Sequence, residues 1–191
     1  MNGKIFIICG PSGVGKGTVI LGLLKNKKIN LKMIPTYTTR EAKPRDELTG
    51  HYRYISRGIF LEKLKNKVFF ESNFFNSNYY GTQAADMNTV VKNNTVGLLE
   101  QDVGHALFTQ KLYPNHVKII FITSPLEVIR QRLLKRAEDT EKQIAARLIL
   151  AKKELSQKNN CDYIVENLPN DQENTIQKVL EIIRSEVSIE K

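Results

Sequence analysis

Short apolar runs alternate with amphipathic stretches along most of the chain. Residues 4–9, 96–100, 118–123 and 163–165 are rich in β-branched and aromatic side chains, which predicts buried strands. Residues 18–24 carry apolar side chains at helical spacing, which predicts a helix directly after the first strand. Strands that alternate with helices predict an α/β fold in which helices cover both faces of a parallel sheet. Ligands of such sheets bind at the carboxyl ends of the strands.

The rest of the chain divides into a polar middle region and further helices. Residues 36–57 are polar, aromatic and basic, with Pro44 and Gly50 as breakers, and predict short strands and turns in an inserted lobe that ends near Tyr80. Apolar positions at helical spacing predict later helices, one of which starts at Pro125. These positions are Ala84, Ala85, Met87, Val90 and Val91; Ile129, Leu133 and Leu134; Ile144, Leu148, Ala151 and Leu155; and Ile176, Val179, Leu180 and Ile183.

Length and composition indicate a single soluble domain. The 191 residues fit one domain, and the longest apolar run near the start, residues 5–9, is too short for a membrane span or a signal sequence. We therefore expect a cytoplasmic protein without a membrane partner. Cys9 and Cys161 have no CxxC spacing, so we expect two reduced thiols rather than a metal site or a disulfide.

The charge balance is basic. Lysine and arginine number 29 against 20 acidic residues, and the net charge is +9. This excess attracts polyanions, which include nucleic acids and nucleotides, but it also fits a solvated lysine-rich surface. Because the chain has no recognisable groove-reading motif, we expect no nucleic-acid partner.

A glycine-rich loop follows the first predicted strand. It matches the pattern G-x-x-x-x-G-K, although Gly17 stands where serine or threonine is usual. Glycines allow backbone N–H groups to turn inward around an anion, and the following helix directs its positive end to the same point. Lys16 adds a cation for the β and γ phosphates, and Thr18 can orient Mg²⁺. The alternative is a glycine-rich turn without a ligand. The loop comprises Gly10, Pro11, Ser12, Gly13, Val14, Gly15, Lys16, Gly17 and Thr18.

The middle region supplies a second group of anion-binding side chains. Arg40, Lys43 and Arg45 are interleaved with the hydroxyl groups of Tyr52 and Tyr80. Guanidinium, ammonium and phenol groups together suit a phosphate monoester, because each hydroxyl donates a hydrogen bond without adding charge. The alternative interpretation is a solvated basic loop whose tyrosines pack in the core.

Taken together, these segments resemble the guanylate kinases over nearly the whole chain. The resemblance is carried, in order, by GPSGVGKGT, TYTTR, GHYRYIS, VFFES, NYYGT, LLEQD and RLLKRAEDTEKQIAAR. It implies a P-loop NTPase core at about residues 1–36, 88–125 and 156–191. It also implies an inserted GMP-binding lobe at about 37–87 and a helical lid at about 126–155. The implied reaction is Mg²⁺-dependent transfer from ATP to GMP, with dGMP as a second acceptor.

The resemblance also implies roles for individual residues. Guanine presents N1–H and a 2-amino group, which a carboxylate accepts and which adenine lacks. The ATP site would comprise the glycine-rich loop and Arg132. The GMP phosphate would be held by Arg40, Lys43, Tyr52 and Tyr80, and guanine would be read by Thr36, Glu71, Thr82 and Asp102. The catalytic cations would be Lys16, Arg136 and Arg147, and Thr18 and Glu100 would orient Mg²⁺.

Three positions depart from the family pattern. Glu100 stands where the family usually has aspartate, and Lys43 stands where it usually has arginine, so that Arg45 becomes an alternative ligand of the GMP phosphate. Asn167 is followed by Leu168 and Pro169 instead of the usual Asn-Asp pair, which leaves a nucleotide contact from this loop open.

Three other functions compete with the GMP kinase interpretation. A kinase for another phosphorylated small molecule would keep the loop but would not need Glu71 or the tyrosine pair. A non-catalytic interaction domain is disfavoured by Lys16 in an intact loop. A nucleic-acid binder is suggested by the net charge alone. Arg132 and Arg136, four residues apart on one helix face, also fit a merely solvated surface.

Overall fold

A computed structural model of the chain describes residues 3–43, 46, 50–136 and 140–188. Arg45, the alternative phosphate ligand, lies outside this range. The described strands are β1 (Lys4–Cys9), β2 (Leu31–Met33), β3 (Thr36–Thr38), β4 (Tyr52–Tyr54), β5 (Phe69–Phe75), β6 (Asn78–Gln83), β7 (Val96–Glu100), β8 (Val117–Thr123) and β9 (Tyr163–Glu166). The described α-helices are α1 (Lys16–Lys25), α2 (Arg57–Lys65), α3 (Ala84–Lys92), α4 (Val103–Leu112), α5 (Leu126–Arg136), α6 (Glu141–Ser156) and α7 (Gln172–Ser188).

Five strands form the predicted parallel sheet, in the order β2-β7-β1-β8-β9. The central strand β1 alternates its side chains between two apolar clusters, as the pleat requires. Phe6 and Ile8 pack with α1, α5 and α7 on one face, whereas Ile5 and Ile7 pack with α3 and α4 on the other. The expected α/β fold with helices on both faces is therefore confirmed.

Helices α1 and α7 approach each other closely on the first face. A Cβ atom at Gly22 of α1 would lie 2.3 Å from Cδ1 of Ile176 in α7, so any larger residue would force the Ile176 side chain to move. Val19 and Leu23 of α1 join the same cluster as Val179 of α7. The helix that follows the glycine-rich loop is thus supported by the last helix of the chain.

A second, four-stranded sheet has the order β4-β3-β6-β5. Its strand β3 pairs antiparallel with β6, and this pairing places Thr36 opposite Thr82. Helix α2 covers the sheet through Phe60, whose ring stacks at 4.5 Å from that of Phe69 and at 5.3 Å from that of Tyr79. The short strands expected within residues 36–57 are present as β3 and β4.

The sequence predictions and the structure differ in a few elements. Strands β1 and β7 have the predicted bounds, α1 begins two residues before Thr18, and β8 begins one residue before Lys118. Helices α2 and α4, the edge strand β2 and the strands β5 and β6 were not predicted. None of the helices in the described ranges combines the length and apolar character needed to cross a bilayer.

Candidate active site

The glycine-rich loop joins the carboxyl end of β1 to α1. Gly10, Gly13 and Gly15 have φ angles of 130°, 90° and 98°, a region that favours glycine. A Cβ atom at Gly10 would lie 2.2 Å from the carbonyl oxygen of Ile122, so β8 leaves no room for a side chain there. Since α1 starts at Lys16, its unpaired N–H groups and positive end face the loop, as an anion site requires.

Lys16 connects the loop to two other parts of the molecule. Its ammonium donates to the carbonyl oxygens of Gly10 at 2.7 Å and Pro11 at 3.2 Å, and lies 3.6 Å from Oε1 of Glu100 at the end of β7. The other carboxylate oxygen of Glu100 lies 3.3 Å from Nδ1 of the buried His51, which precedes β4. Burial lowers the pKa of His51 although Glu100 opposes the shift, so a neutral imidazole faces the carboxylate.

Most predicted phosphate ligands line one cleft of about 560 Å³ beside the loop. Arg147 of α6 reaches across it and donates from Nη1 to Oγ of Ser12 at 2.9 Å. The structure thereby brings together side chains that lie more than a hundred residues apart. The predicted site residues that line this cleft are Ser12, Gly13, Gly15, Lys16, Gly17, Thr18, Arg40, Lys43, Tyr52, Tyr80, Glu100, Arg136 and Arg147.

Arg40 is held by Asp46, which the sequence analysis did not single out, and by the predicted site residue Tyr52. Its guanidinium donates to Oδ2 of Asp46 at 2.8 Å and lies 4.8 Å from the centre of the Tyr52 ring. The same Asp46 oxygen accepts the hydroxyl of Tyr54 and the backbone N–H of Lys43, both at 2.8 Å. Of these three donors, the Arg40 guanidinium was expected to meet a phosphate, whereas Lys43 contributes its backbone N–H and Tyr54 was not predicted.

Three of the four predicted base-reading residues, Thr36, Glu71 and Asp102, line an adjoining cleft of about 610 Å³, which Lys16 and Arg147 also line. Glu71 of β5 is 8% exposed and accepts the Thr82 hydroxyl at 2.6 Å. Burial raises the pKa of Glu71, and the Thr82 hydrogen bond opposes the shift. Thr36 also lines this cleft, and its buried hydroxyl has no hydrogen-bond partner among the described residues. A buried orphan hydroxyl and a buried carboxylate together suit a ligand that both donates and accepts.

His105 contacts two of the carboxylates in this cleft, those of Asp102 and Glu71. Its Nδ1 lies 2.6 Å from Oδ2 of Asp102, and its Nε2 lies 3.7 Å from Oε2 of Glu71. Asp102 also caps α4 by accepting the His105 backbone N–H at 3.0 Å. The Asp102 hydrogen bond raises the pKa of His105. Burial alone would raise the pKa of Asp102, but hydrogen bonds from the His105 ring and backbone lower it. The spacing of an N-cap aspartate and histidine was the available sequence signal for this contact.

Four predicted site residues do not line either cleft: Pro11, Val14, Thr82 and Arg132. Thr82 is nevertheless bound to Glu71, and the carbonyl of Pro11 accepts the Lys16 ammonium. Arg132 donates from Nη1 to the carbonyl oxygen of Val14 at 3.0 Å and from Nη2 to that of Asn167 at 3.1 Å. Its guanidinium therefore binds backbone oxygens.

Thr18 and Glu100 fit the donor set of a magnesium ion. Both line the cleft beside the glycine-rich loop, and both offer the hard oxygen atoms that Mg²⁺ prefers. Magnesium ions at phosphate sites keep several waters and take only one or two carboxylates from the protein. A hydroxyl and a carboxylate that line the same cleft satisfy this requirement.

Comparison with known proteins gives a consistent result. The sequence model of the family described as "Guanylate kinase" matches residues 2–186. The guanylate kinase of Mesomycoplasma hyopneumoniae strain 7448 is 37% identical over 191 aligned residues, which cover 96% of this chain and 95% of the relative. That of Lactobacillus johnsonii is 33% identical and covers 99% of this chain and 90% of the relative. A crystal structure of guanylate kinase from Anaplasma phagocytophilum is 27% identical, with a TM-score of 0.77, over 97% of this chain and 86% of that one.

Proposed function

This chain belongs to the guanylate kinase family, and we propose that it transfers the γ-phosphoryl group of ATP to GMP, with Mg²⁺, to give ADP and GDP. The observation that carries this proposal is the pair of adjoining clefts. One is lined by the glycine-rich loop and several cations, the other by the buried Glu71, and both are lined by Lys16 and Arg147. Two phosphate groups and one purine base can therefore be held beside the same cations.

The donor site is formed by the loop at the end of β1. Backbone N–H groups of residues 10–18 would surround the β and γ phosphates of ATP, and Lys16 would exchange its carbonyl contacts for phosphate oxygens. Thr18 and Glu100 would hold Mg²⁺, which supplies positive charge between the phosphates when bound. The donor is thereby fixed with its γ phosphorus towards the second sheet.

The acceptor site is formed by the second sheet and the start of α4. Arg40, Lys43, Tyr52 and Tyr80 would bind the GMP phosphate, since all four line the cleft beside the loop. Glu71 and Asp102, with Thr36 and Thr82, would bind guanine; the two carboxylates accept its N1–H and 2-amino groups. Adenine would leave the buried Glu71 without a donor, which disfavours AMP. We propose dGMP as a second acceptor, because the groups assigned here bind the phosphate and the base.

Catalysis would depend on positive charge around the transferring group. Lys16, Arg136 and Arg147 line the cleft in which the two substrates meet and would stabilise charge on the phosphoryl oxygens. A GMP phosphate oxygen is already ionised near neutral pH, so the attack needs no general base.

We propose that the chain is divided into a core, a GMP-binding lobe and a lid, and that the lobe and the lid close over the core. The GMP-binding lobe, about residues 37–87, contains most of the second sheet. The lid, about residues 126–155, contains α5 and most of α6, which pack against each other. Closure of both over the core would exclude water, because an open site that activates ATP also hydrolyses it.

A coupled assay of ADP release tests the proposal. Purified protein with Mg²⁺ and ATP should turn over GMP and dGMP far faster than AMP, CMP or UMP. Omission of the acceptor should leave only slow ADP release, and removal of Mg²⁺ by chelation should abolish turnover. Preference for another acceptor, or equal rates with all five, would contradict the assigned substrate while leaving phosphoryl transfer in place.

A further inference from the structure

We infer that Arg132 and Asn167 are positioning residues that fix the Val14–Gly15 peptide of the glycine-rich loop, so that the Gly15 N–H faces the phosphates of ATP. The inference rests on the proposed binding of ATP at this loop. It assigns Asn167, which the sequence left without a defined role, and changes the role implied for Arg132 from substrate contact to support of the loop.

Both side chains donate to the same carbonyl oxygen. Nη1 of Arg132 lies 3.0 Å from the Val14 oxygen, and Nδ2 of Asn167 lies 2.6 Å from it. One donor comes from α5 and the other from the segment after β9, so the carbonyl is held from two separate elements. Two donors, one of them charged, strongly favour a single orientation of this carbonyl.

The orientation of the carbonyl determines the direction of the next N–H group. A trans peptide is planar, and its C=O and N–H bonds point in opposite directions. The side chain of Val14 is fully buried, whereas Gly15 lines the cleft of the phosphate loop. With the Val14 carbonyl turned towards Arg132 and Asn167, the Gly15 N–H is turned towards the cleft.

Gly15 itself is adapted to this arrangement. Its φ angle of 98° lies in the region that favours glycine, and a Cβ atom would come within 2.5 Å of Nδ2 of Asn167. The asparagine amide therefore occupies the space where a side chain would stand. The conformation of the loop, the glycine at position 15 and the position of the Asn167 amide therefore depend on one another.

The remaining contacts of both side chains are to the protein, which argues against direct nucleotide binding. Nη2 of Arg132 also donates to the carbonyl oxygens of Asn167 and Leu168, at 3.1 and 3.3 Å. Asn167 is 3% exposed, and its Oδ1 accepts the hydroxyl of Thr175 at 3.2 Å. Neither Arg132 nor Asn167 lines the two described clefts. A substrate hydrogen bond from these same donor atoms would require both side chains to give up these partners.

Binding of two ligands distinguishes a positioning role from a nucleotide contact. ATP carries phosphates and a nucleoside, whereas inorganic tripolyphosphate carries the phosphates alone. Isothermal titration of each, with Mg²⁺ and without acceptor, should show that Arg132→Gln and Asn167→Ala weaken both ligands by the same factor. We expect a loss of about three- to tenfold for each variant, the usual effect of one hydrogen bond. The fold-loss in affinity of the double variant should exceed the product of the two single fold-losses, because in each single variant the remaining donor still holds the carbonyl.

Matched controls separate this effect from general damage. Arg130→Gln on the same helix and Asn174→Ala in α7 change exposed residues of the same types and should leave both affinities unchanged. Arg132→Lys retains one cationic donor and should recover part of the loss. Thermal unfolding of every variant checks that the fold is intact, and GMP affinity should be unchanged because the acceptor site is elsewhere.

Three results would overturn the inference. If ATP binding weakens while tripolyphosphate binding does not, the side chains contact the nucleoside. If neither ligand is affected in folded variants, the Val14 carbonyl does not need these donors. If the fold-loss in affinity of the double variant equals the product of the single fold-losses, the two donors do not act on one peptide. Failure of the proposed function is separate: a wild-type chain that binds both ligands but does not phosphorylate GMP would leave this inference standing.

Discussion

Replacement of Glu71 by glutamine tests the basis of guanine recognition. The side chain is 8% exposed, and its carboxylate accepts the Thr82 hydroxyl at 2.6 Å. Glutamine has nearly the same shape, and its carbonyl can still accept that hydroxyl. Its amide nitrogen, however, places two donors where the carboxylate offered an acceptor. Guanine N1–H or the 2-amino group then faces another donor inside a buried site.

The loss of GMP activity in this variant can be estimated from the hydrogen bond to guanine that disappears. A hydrogen bond to a charged, buried group contributes about 1.5–3 kcal/mol, which corresponds to about a 10- to 150-fold change in affinity. We therefore expect Glu71→Gln to lower kcat/KM for GMP by a factor in this range, at saturating ATP in the coupled assay. The KM for ATP should change little, because Glu71 does not line the cleft of the phosphate loop.

The stability of the same variant provides an independent check. Burial raises the pKa of Glu71, so the folded chain retains this proton at pH values where the unfolded chain has lost it. Stability contributed by this group is therefore lost as the pH rises from the usual value of 4.5 through the folded pKa. Glu71→Gln removes that unfavourable ionisation, and its melting temperature at pH 7 should equal or exceed that of the wild type.

The control is Glu62→Gln, which changes an exposed glutamate of α2 in the same part of the fold. It should leave GMP kinetics unchanged. An equal loss of GMP and ATP activity in Glu71→Gln, together with a lower melting temperature, would indicate misfolding. A variant with wild-type GMP kinetics would refute the assignment of Glu71 to guanine.

Three further variants test other parts of the site. Lys16→Ala should lower kcat by about 10³-fold, because it removes a cation at the transferring phosphate, while the melting temperature stays near that of the wild type; substantial remaining activity would contradict the assignment. Lys43→Ala should raise the GMP KM and leave the ATP KM unchanged, with Lys43→Arg at or below the wild-type value. If Lys43→Ala leaves the GMP KM unchanged while Arg45→Ala raises it, the phosphate contact would be assigned to Arg45 instead. The raised pKa of His105 predicts stability that is fully present below pH 6.5 and is lost as the pH rises through its folded pKa. The difference in unfolding free energy between wild type and His105→Gln should therefore shrink between pH 5.5 and pH 8.5, and a constant difference would contradict a charged His105.

The fold could be predicted from the sequence where the local pattern of residues is enough to define an element. Strands β1 and β7 are short, apolar and bounded by polar residues, and their limits follow from that pattern. Helix α2 was missed because Phe60 is its only buried side chain, so it has little apolar periodicity. Helix α4 was missed although Asp102 is an N-cap and Val103 and Ala106 are buried, since the aspartate was interpreted only as a base-reading group.

The site was less predictable from the sequence than the fold. The glycine-rich loop is a local motif, and its residues follow one another. The contact of His51 with Glu100 joins segments that are far apart in the chain, and no local pattern reports it. The same holds for the two donors on the Val14 carbonyl. In addition, the longer side chain of Glu100 compared with aspartate gives no indication of which neighbour it reaches.

The packing of α1 against α7 has a consequence for the order of events during synthesis. The helix that carries Lys16 is made long before Ile176 and Val179, which cover its apolar face. Strand β8, which borders β1, is also made late. A partly synthesised chain therefore exposes the underside of its phosphate loop, and contacts of such long sequence separation form slowly. The proposed ATP site, although its loop is encoded by residues 10–18, is thus completed only after the supporting residues of α7 have been made.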